Sequence, residues 1–302
     1  MPTGPEARSS ALLSPFAGLR VRVPPVDRGE TLCLPYDCLT PELEEKLRRY
    51  PFNAIHLEEP KPRVISGHKT WASWKEQGAL ERDPESYYLV VEQSDGLRRV
   101  GVMALANLAL ALKTKVIWPH EKCYRRFIDR RKVHFKKMHL HLSPIFLVAQ
   151  DRQARLAQTL ESLAAAKDLK PSVLPASVFD GVSRTLYPIS DPGMVEEIRQ
   201  ALTPQDGFLV ADGHHRFRAA LELARDGGLT HSLCYVTSAE SGAGLLKKHP
   251  PVPGRNNNPV EPPPLREIIA AAQNGKLFPR KTTYFWPKVP CGLVYAEIGD
   301  NR

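Results

Sequence analysis

"FLVADGHHRFRAALELA", Phe208 to Ala224, joins two hydrophobic patterns that belong to different secondary structures. Phe208 to Ala211 is apolar throughout, as an interior strand is. From Phe217 onward Ala and Leu recur at helical spacing. Gly213 therefore stands at a strand-to-helix switch, where a residue without Cβ permits a tight turn and close approach by another group. The first N–H groups of a helix lack partners within it, so its start is a natural anion site. Such a terminus contributes about 0.3–1 kcal/mol toward a bound charge. A charge-assisted hydrogen bond from Arg216 would add roughly 1.5–3 kcal/mol. His214 and His215 are neighbours and point apart on a helix. That suits contacts to phosphate better than chelation of one metal, because helical metal pairs stand at i and i+4. Asp212 would repel phosphate unless it held Mg²⁺ or faced a substrate hydroxyl or amine. The plain alternative is an Asp N-cap followed by surface polar residues.

Outward from this turn the chain alternates strands and helices. "LCYVTSA" after it is a strand, and "PGMVEEIRQAL" before it a helix. "ASVFDGVSRTLYPIS" is a strand pair around Asp-Gly, and "RQARLAQTLESLAAAKDL" an amphipathic helix. "HLHLSPIFLVAQD" is a strand broken at Ser143-Pro144. "KVIW" is a short strand that meets Pro119, and a basic helical segment follows it. Further upstream, "SYYLVVEQ" and "RRVGVMALANL" are strands joined by a turn at "SDG". "HKTWASWKEQGAL" is a helix, "NAIHLEE" alternates like a strand, and "ELEEKLRRY" is a helix capped by Thr40 with Pro41 first. The reading is an α+β chain in five parts. A disordered N-terminus covers 1–15, an N-terminal α+β part 16–112 and a phosphate-binding core 113–240. A Pro/Asn-rich linker at 241–265 precedes a C-terminal helix and strands at 266–302 that pack on the core.

Composition bounds the function. Of 302 residues, 42% are hydrophobic and 25% charged, the balance of a soluble globular protein. The longest apolar run, Val100 to Leu112, falls short of the roughly 20 residues of a membrane helix. The N-terminus lacks the early charge and compact apolar stretch of a signal peptide, so a cytoplasmic location is expected. Five scattered cysteines without a Cys-x-x-Cys argue against a disulfide framework or a zinc ribbon. His139 and His141 share a strand face, but no acidic or Cys partner lies at useful spacing for a metal. The net charge is +9, and Lys122 to Lys137 holds eight Lys or Arg against one Asp. Such a run is either a solvated helix face or a patch for an anionic partner.

"ADGHHRFRAAL" resembles the signature of a broad, mostly bacterial family of uncharacterised proteins. "LPYDCL", "YPFNAIHLEEP", "VIWPHEK", "LSPIFLV" and "FPRKTTYFWPKVPCGLV" match other motifs of that family in the same order. Relatives are usually longer where the proline-rich segment lies, and they carry a Gly-Pro-Lys run where this chain has "CYRRFIDRRKVHFKK". More remotely, Pro-His-Glu, then Pro-Ile-Phe-Leu-Val, then Asp-Gly-His-His-Arg is similar to the ParB/sulfiredoxin-like fold, and within it to free-serine kinases.

That second resemblance implies a ParB/sulfiredoxin-like core with the N-terminal part added. It implies a phosphotransferase acting on a small hydroxyl compound, with ATP or ADP as donor and Mg²⁺ as cofactor. Glu121 would be the base. Asp212 would orient the hydroxyl or hold Mg²⁺. Gly213, His214, His215 and Arg216 would bind the phosphates, with His120 and Lys122 beside them. Tyr36, Asp37, Asn53 and His56 match motifs of the uncharacterised family, and either line the cleft or stabilise turns. Lys281 is placed to reach an anion, while the aromatics of "KTTYFWPK" pack in the core. The alternative is a non-catalytic nucleotide-binding regulator whose basic run touches nucleic acid. Against it, the chain shows no helix-turn-helix pattern and no heptads.

Overall fold

The computed structural model describes residues 11–22, 30–61, 64–174, 177–203, 206–241, 245–247, 261–280 and 282–299. Strands β1 (Leu13–Ser14) and β2 (Leu19–Val21) precede helices α1 (Pro41–Leu47), α2 (Ile55–Glu58) and α3 (Val64–Glu76). The Thr40 hydroxyl accepts from Leu43 N–H at 3.2 Å and caps α1, and Pro41 occupies its first position. Strand β3 (Leu80–Arg82) leads to the hairpin of β4 (Tyr87–Ser94) and β5 (Leu97–Asn107), and then to α4 (Leu108–Thr114). Next come β6 (Ile117–Pro119), α5 (Arg125–Met138), β7 (Leu140–His141), β8 (Ile145–Ala149) and α6 (Arg155–Ala164). β9 (Ser172–Leu174), β10 (Ser183–Ile189), α7 (Pro192–Ala201), β11 (Phe208–Asp212), α8 (His214–Arg225) and β12 (His231–Ser238) follow. β13 (Leu246–Lys247), α9 (Leu265–Gln273), β14 (Tyr284–Phe285) and β15 (Ala296–Glu297) end the described chain.

Nine strands form one mixed sheet in the order β6-β11-β8-β12-β5-β4-β10-β9, with β1 also on β5. β6 with β11 and β8 with β12 are parallel, and the other pairs antiparallel. β4 and β8 are buried over nearly their whole length, which suits strands covered on both faces. On one face, Leu156, Leu160 and Leu163 of α6 and Ile198 of α7 pack against Leu89, Val102, Leu147 and Val236. On the other, Phe285, Val289 and Leu293 of the C-terminal segment, with Ile268 of α9, cover Tyr88, Met103, Phe146 and Tyr235. The C-terminal segment is therefore a layer of the core, and it runs over the sheet toward the ends of β6 and β11.

Beneath that layer lies a buried ionic row. Glu92 accepts from Arg99 Nε at 2.6 Å, from Arg184 Nε at 3.0 Å and from the Tyr235 hydroxyl at 3.0 Å. Arg184 also donates to Asp180 at 2.6 Å. Gly101 makes room for this row: a Cβ there would stand 2.2 Å from the Tyr235 ring.

Several expectations are corrected. The stretch read as a strand at "NAIHLEE" is the helix α2; Ala54, Ile55, Leu57 and Glu58 are buried at helical spacing, and Asn53 starts the turn by accepting from Ile55 N–H at 2.9 Å. Of the stretch expected to be disordered, residues 11–15 are structured, because Leu13 inserts into the core and β1 pairs with Ala106 and Leu105; residues 1–10 lie outside the described residues. The strand expected over Arg98–Leu108 ends at Asn107, whose side chain accepts from Leu110 N–H and starts a helix, α4, that the pattern did not foretell. One sheet crosses the expected division at residue 112, since β4 and β5 lie between β12 and β10. Within the expected linker, Leu246–Lys247 pairs with β14; residues 242–244 and 248–260 lie outside the described residues. No described helix is long and apolar enough to cross a membrane.

Candidate functional site

Because β6 and β11 are parallel, with Pro119 opposite Val210, the chain leaves both strands at the same end of the sheet. His120-Glu121 and Asp212-Gly213 are thereby brought side by side. Pro119 is tolerated because β6 is an edge strand. Gly213 has φ +83°, a left-handed conformation, and a Cβ on it would stand 3.0 Å from the Arg216 guanidinium. The residue type thus serves two ends: the turn needs the conformation, and Arg216 needs the space to fold back over the backbone. α8 begins without a side-chain cap.

A hydrogen-bonded chain links the two strand ends. Thr283 donates its hydroxyl to Glu121 Oε1 at 2.9 Å and its backbone N–H to the same oxygen at 3.0 Å. The Thr283 oxygen must then accept from His120 Nε2, 2.8 Å away. His120 Nδ1 lies 3.2 Å from His214 Nε2, which also accepts from the His120 backbone N–H at 3.4 Å. Both rings are buried and neutral. Burial, with His214 nearby, pulls His120 down to about 3. Burial pulls His214 down to about 4 against the opposing pull of Asp212. His214 therefore turns inward to position His120. His215 lies half-buried on the outer side and accepts from Tyr124 N–H at 3.0 Å.

Two cations hold Asp212. Lys288 Nζ lies 2.6 Å from Oδ1, and Arg216 Nη2 donates to Oδ2 at 3.0 Å. Burial disfavours the charge on Lys288, but Asp212 outweighs it and raises its pKa above the usual lysine range. Arg216 is raised likewise, by Asp212 and Glu58 against burial. Its Nη1 is buried with no hydrogen-bond partner among the described residues, and an anion would satisfy it. Beside it, Arg131 donates to Glu58 at 2.9 Å, with side chains 3% and 1% exposed. Burial raises the Glu58 pKa, but Arg131, His134 and Arg216 outweigh it and leave it below the usual value.

Of the expected residues, Glu121, His120, Asp212, Gly213, His214, His215 and Arg216 gather here. Lys122 is exposed at the rim and donates its backbone N–H to Phe278 at 3.2 Å. Tyr36 and Asp37 also belong. The Tyr36 ring lies 4.1 Å under the Arg131 guanidinium, and Arg216 acts on the Tyr36 hydroxyl electrostatically, as Asp37 does on Lys288. Asn53 and His56 do not join the site. Asn53 is fully buried and donates to Leu32 O at 2.8 Å, while His56 bonds Tyr50 O at 3.0 Å, so both stabilise turns. Lys281 lies outside the described residues.

Thr283, Lys288, Arg131 and Glu58 are functional candidates that local sequence patterns miss. One signal does exist for Lys288: a lysine within the apolar "YFWPKVP" run is a buried cation in need of a carboxylate. Mg²⁺ finds no built site here. Both Asp212 oxygens are taken by cations, and no group of three or more His, Cys, Asp or Glu among the described residues could hold a metal ion. The basic run is half neutralised: Arg125, Arg130, Arg131 and Lys132 pair with Glu222, Glu59, Glu58 and Glu222 respectively.

Among known proteins, the sequence model of a family described as "Protein of unknown function (DUF1015)" matches residues 13–240. No curated protein and no solved structure matches the chain.

Proposed function

The chain belongs to the DUF1015 family of proteins of unknown function, and from that premise we propose that it is a phosphotransferase. It moves a phosphoryl group from a nucleotide, ATP or ADP, to the hydroxyl of a small molecule such as a free hydroxy amino acid. The core that carries the site, β6, β11, β8 and β12 with α5 and α8, is read as ParB/sulfiredoxin-like within the same proposal. One observation carries it: Glu121 and the Asp212–Arg216 turn lie at the ends of adjacent parallel strands, joined through Thr283, His120 and His214.

In this reading the donor phosphates rest against the first N–H groups of α8, Arg216 and Lys288. The acceptor oxygen attacks phosphorus and its proton passes to Glu121. The bond between phosphorus and the leaving oxygen breaks, and the charge that develops on the remaining phosphate is met by Arg216, Lys288 and the helix start. Asp212 fixes both cations in place, and Thr283 fixes the Glu121 carboxylate. Mg²⁺ enters the proposal only as a counter-ion brought by the nucleotide, and no step depends on it.

The test is ³¹P NMR of nucleotide and hydroxy amino acids with the wild type and Glu121→Gln. A positioned base contributes about 10²–10⁴-fold, so the variant keeps the nucleotide-induced rise in melting temperature and loses turnover by that order. A fully active Glu121→Gln removes Glu121 from the mechanism. The regulator alternative draws less support, because half of its basic run is already paired with carboxylates. A steep, salt-sensitive gel shift with random DNA would restore it.

A further inference from the structure

Tyr124, Phe127 and His215 form a step of rings beside the start of α8. Tyr124 precedes α5, Phe127 lies in its first turn, and the Tyr124 N–H bond to His215 ties the starts of α5 and α8 together. The Tyr124 and His215 rings lie within 10° of parallel at 6.5 Å, and Phe127 stands edge-on to His215 at 5.3 Å. Phe127 also meets the Tyr36 ring at 6.1 Å, but these rings lie outside the apolar seam that packs α5 on α8. Ile128 and Phe135 form that seam, against Ala219, Ala220 and Leu223 of α8. Tyr124 and Phe127 are half-buried and join none of the four apolar cores among the described residues.

Guanidinium groups cover them instead. Arg280 lies 3.6 Å over Tyr124, and the exposed Arg126 lies 4.7 Å over Phe127. Half-exposed rings interleaved with arginines recognise nucleobases, because every base presents a π face that stacks on a ring or a guanidinium plane. His215 belongs both to the helix start and to the ring step, so one ligand can engage both.

We propose that this step receives the base of a nucleotide whose phosphates sit at the start of α8. The inference rests on the phosphate reading above and extends it to the organic end of the ligand. The donor is then a nucleoside di- or triphosphate and not pyrophosphate. Arg126 swings aside or closes over the base, and Phe127 supplies the face beneath it.

Calorimetric titration of ADP and of inorganic pyrophosphate into the full chain tests it, with Phe127→Leu and Phe127→Trp beside the wild type. Leu fills the space without a π face, and Trp keeps the face. The wild type should bind ADP more tightly than pyrophosphate. Phe127→Leu should weaken ADP about tenfold and leave pyrophosphate unchanged, and Phe127→Trp should keep ADP affinity. Equal wild-type affinity for both ligands, an unaffected Phe127→Leu, or equal weakening of both ligands overturns the base site and leaves the phosphate reading standing. Binding of neither ligand overturns both.

Discussion

Asp212 is the residue on which the site turns, and its surroundings decide what it can do. A carboxylate held by Lys288 at 2.6 Å and Arg216 at 3.0 Å organises cations more readily than it binds one more. Removing it strands two buried charges. Asp212→Ala should therefore lose about 3–5 kcal/mol of unfolding free energy by urea titration, whereas Lys288→Met should cost less because Arg216 still pairs with Asp212. The Asp-Gly-His-His-Arg turn and Pro-His-Glu were legible because their chemistry is local to a strand end and a helix start. Lys288 and Thr283 were not, since they reach Asp212 and Glu121 across 76 and 162 positions of sequence. Nothing in a short window reports such pairs.

Buried histidines give a second prediction at this scale. Burial, with His231 adding to it, pulls His141 down to about 3, so its ring is neutral in the fold yet takes a proton in the unfolded chain below about pH 6.5. The stability it contributes is present above pH 6.5 and is lost as pH falls toward 3. His120 and His214 act in the same sense. Unfolding free energy should fall between pH 7 and pH 5, and His141→Phe should flatten that slope by up to about 2 kcal/mol. An unchanged slope would place a charged ring in the fold.

At the scale of elements, the strand-to-helix turn from β11 to α8 depends on one glycine. Gly213→Ala puts a Cβ on a left-handed residue and against Arg216, so it should cost roughly 1–2 kcal/mol beyond an ordinary surface change. Chemical unfolding measures it, and a neutral result would mean the turn adopts another conformation. The helix α2 shows where pattern reading falls short. Its four residues are too few to establish a period, and the Asn53 side chain, not hydrophobic alternation, decides the backbone. Leu108, read as the last residue of a strand, opens α4 for the same reason, with Asn107 as the cap.

At the scale of the molecule, one sheet carries both halves of the chain and a buried ionic row ties its strands together. Glu92 neutralises Arg99 and Arg184 in a region with no exposure, so Glu92→Ala should lose about 3–5 kcal/mol and broaden the melting transition. The alternating strands and helices were readable from periodicity. The union of the N-terminal hairpin with the core was not, because strand order depends on long-range pairing that composition does not encode.

The central claim is that the start of α8, with Arg216 and Lys288, holds phosphate. Differential scanning fluorimetry of the wild-type chain with increasing ADP tests it most directly. A rise in melting temperature that grows with ligand concentration, corresponding to about 2.7 kcal/mol at a hundredfold excess over Kd, is the predicted result. A melting temperature unmoved by millimolar ADP would contradict it.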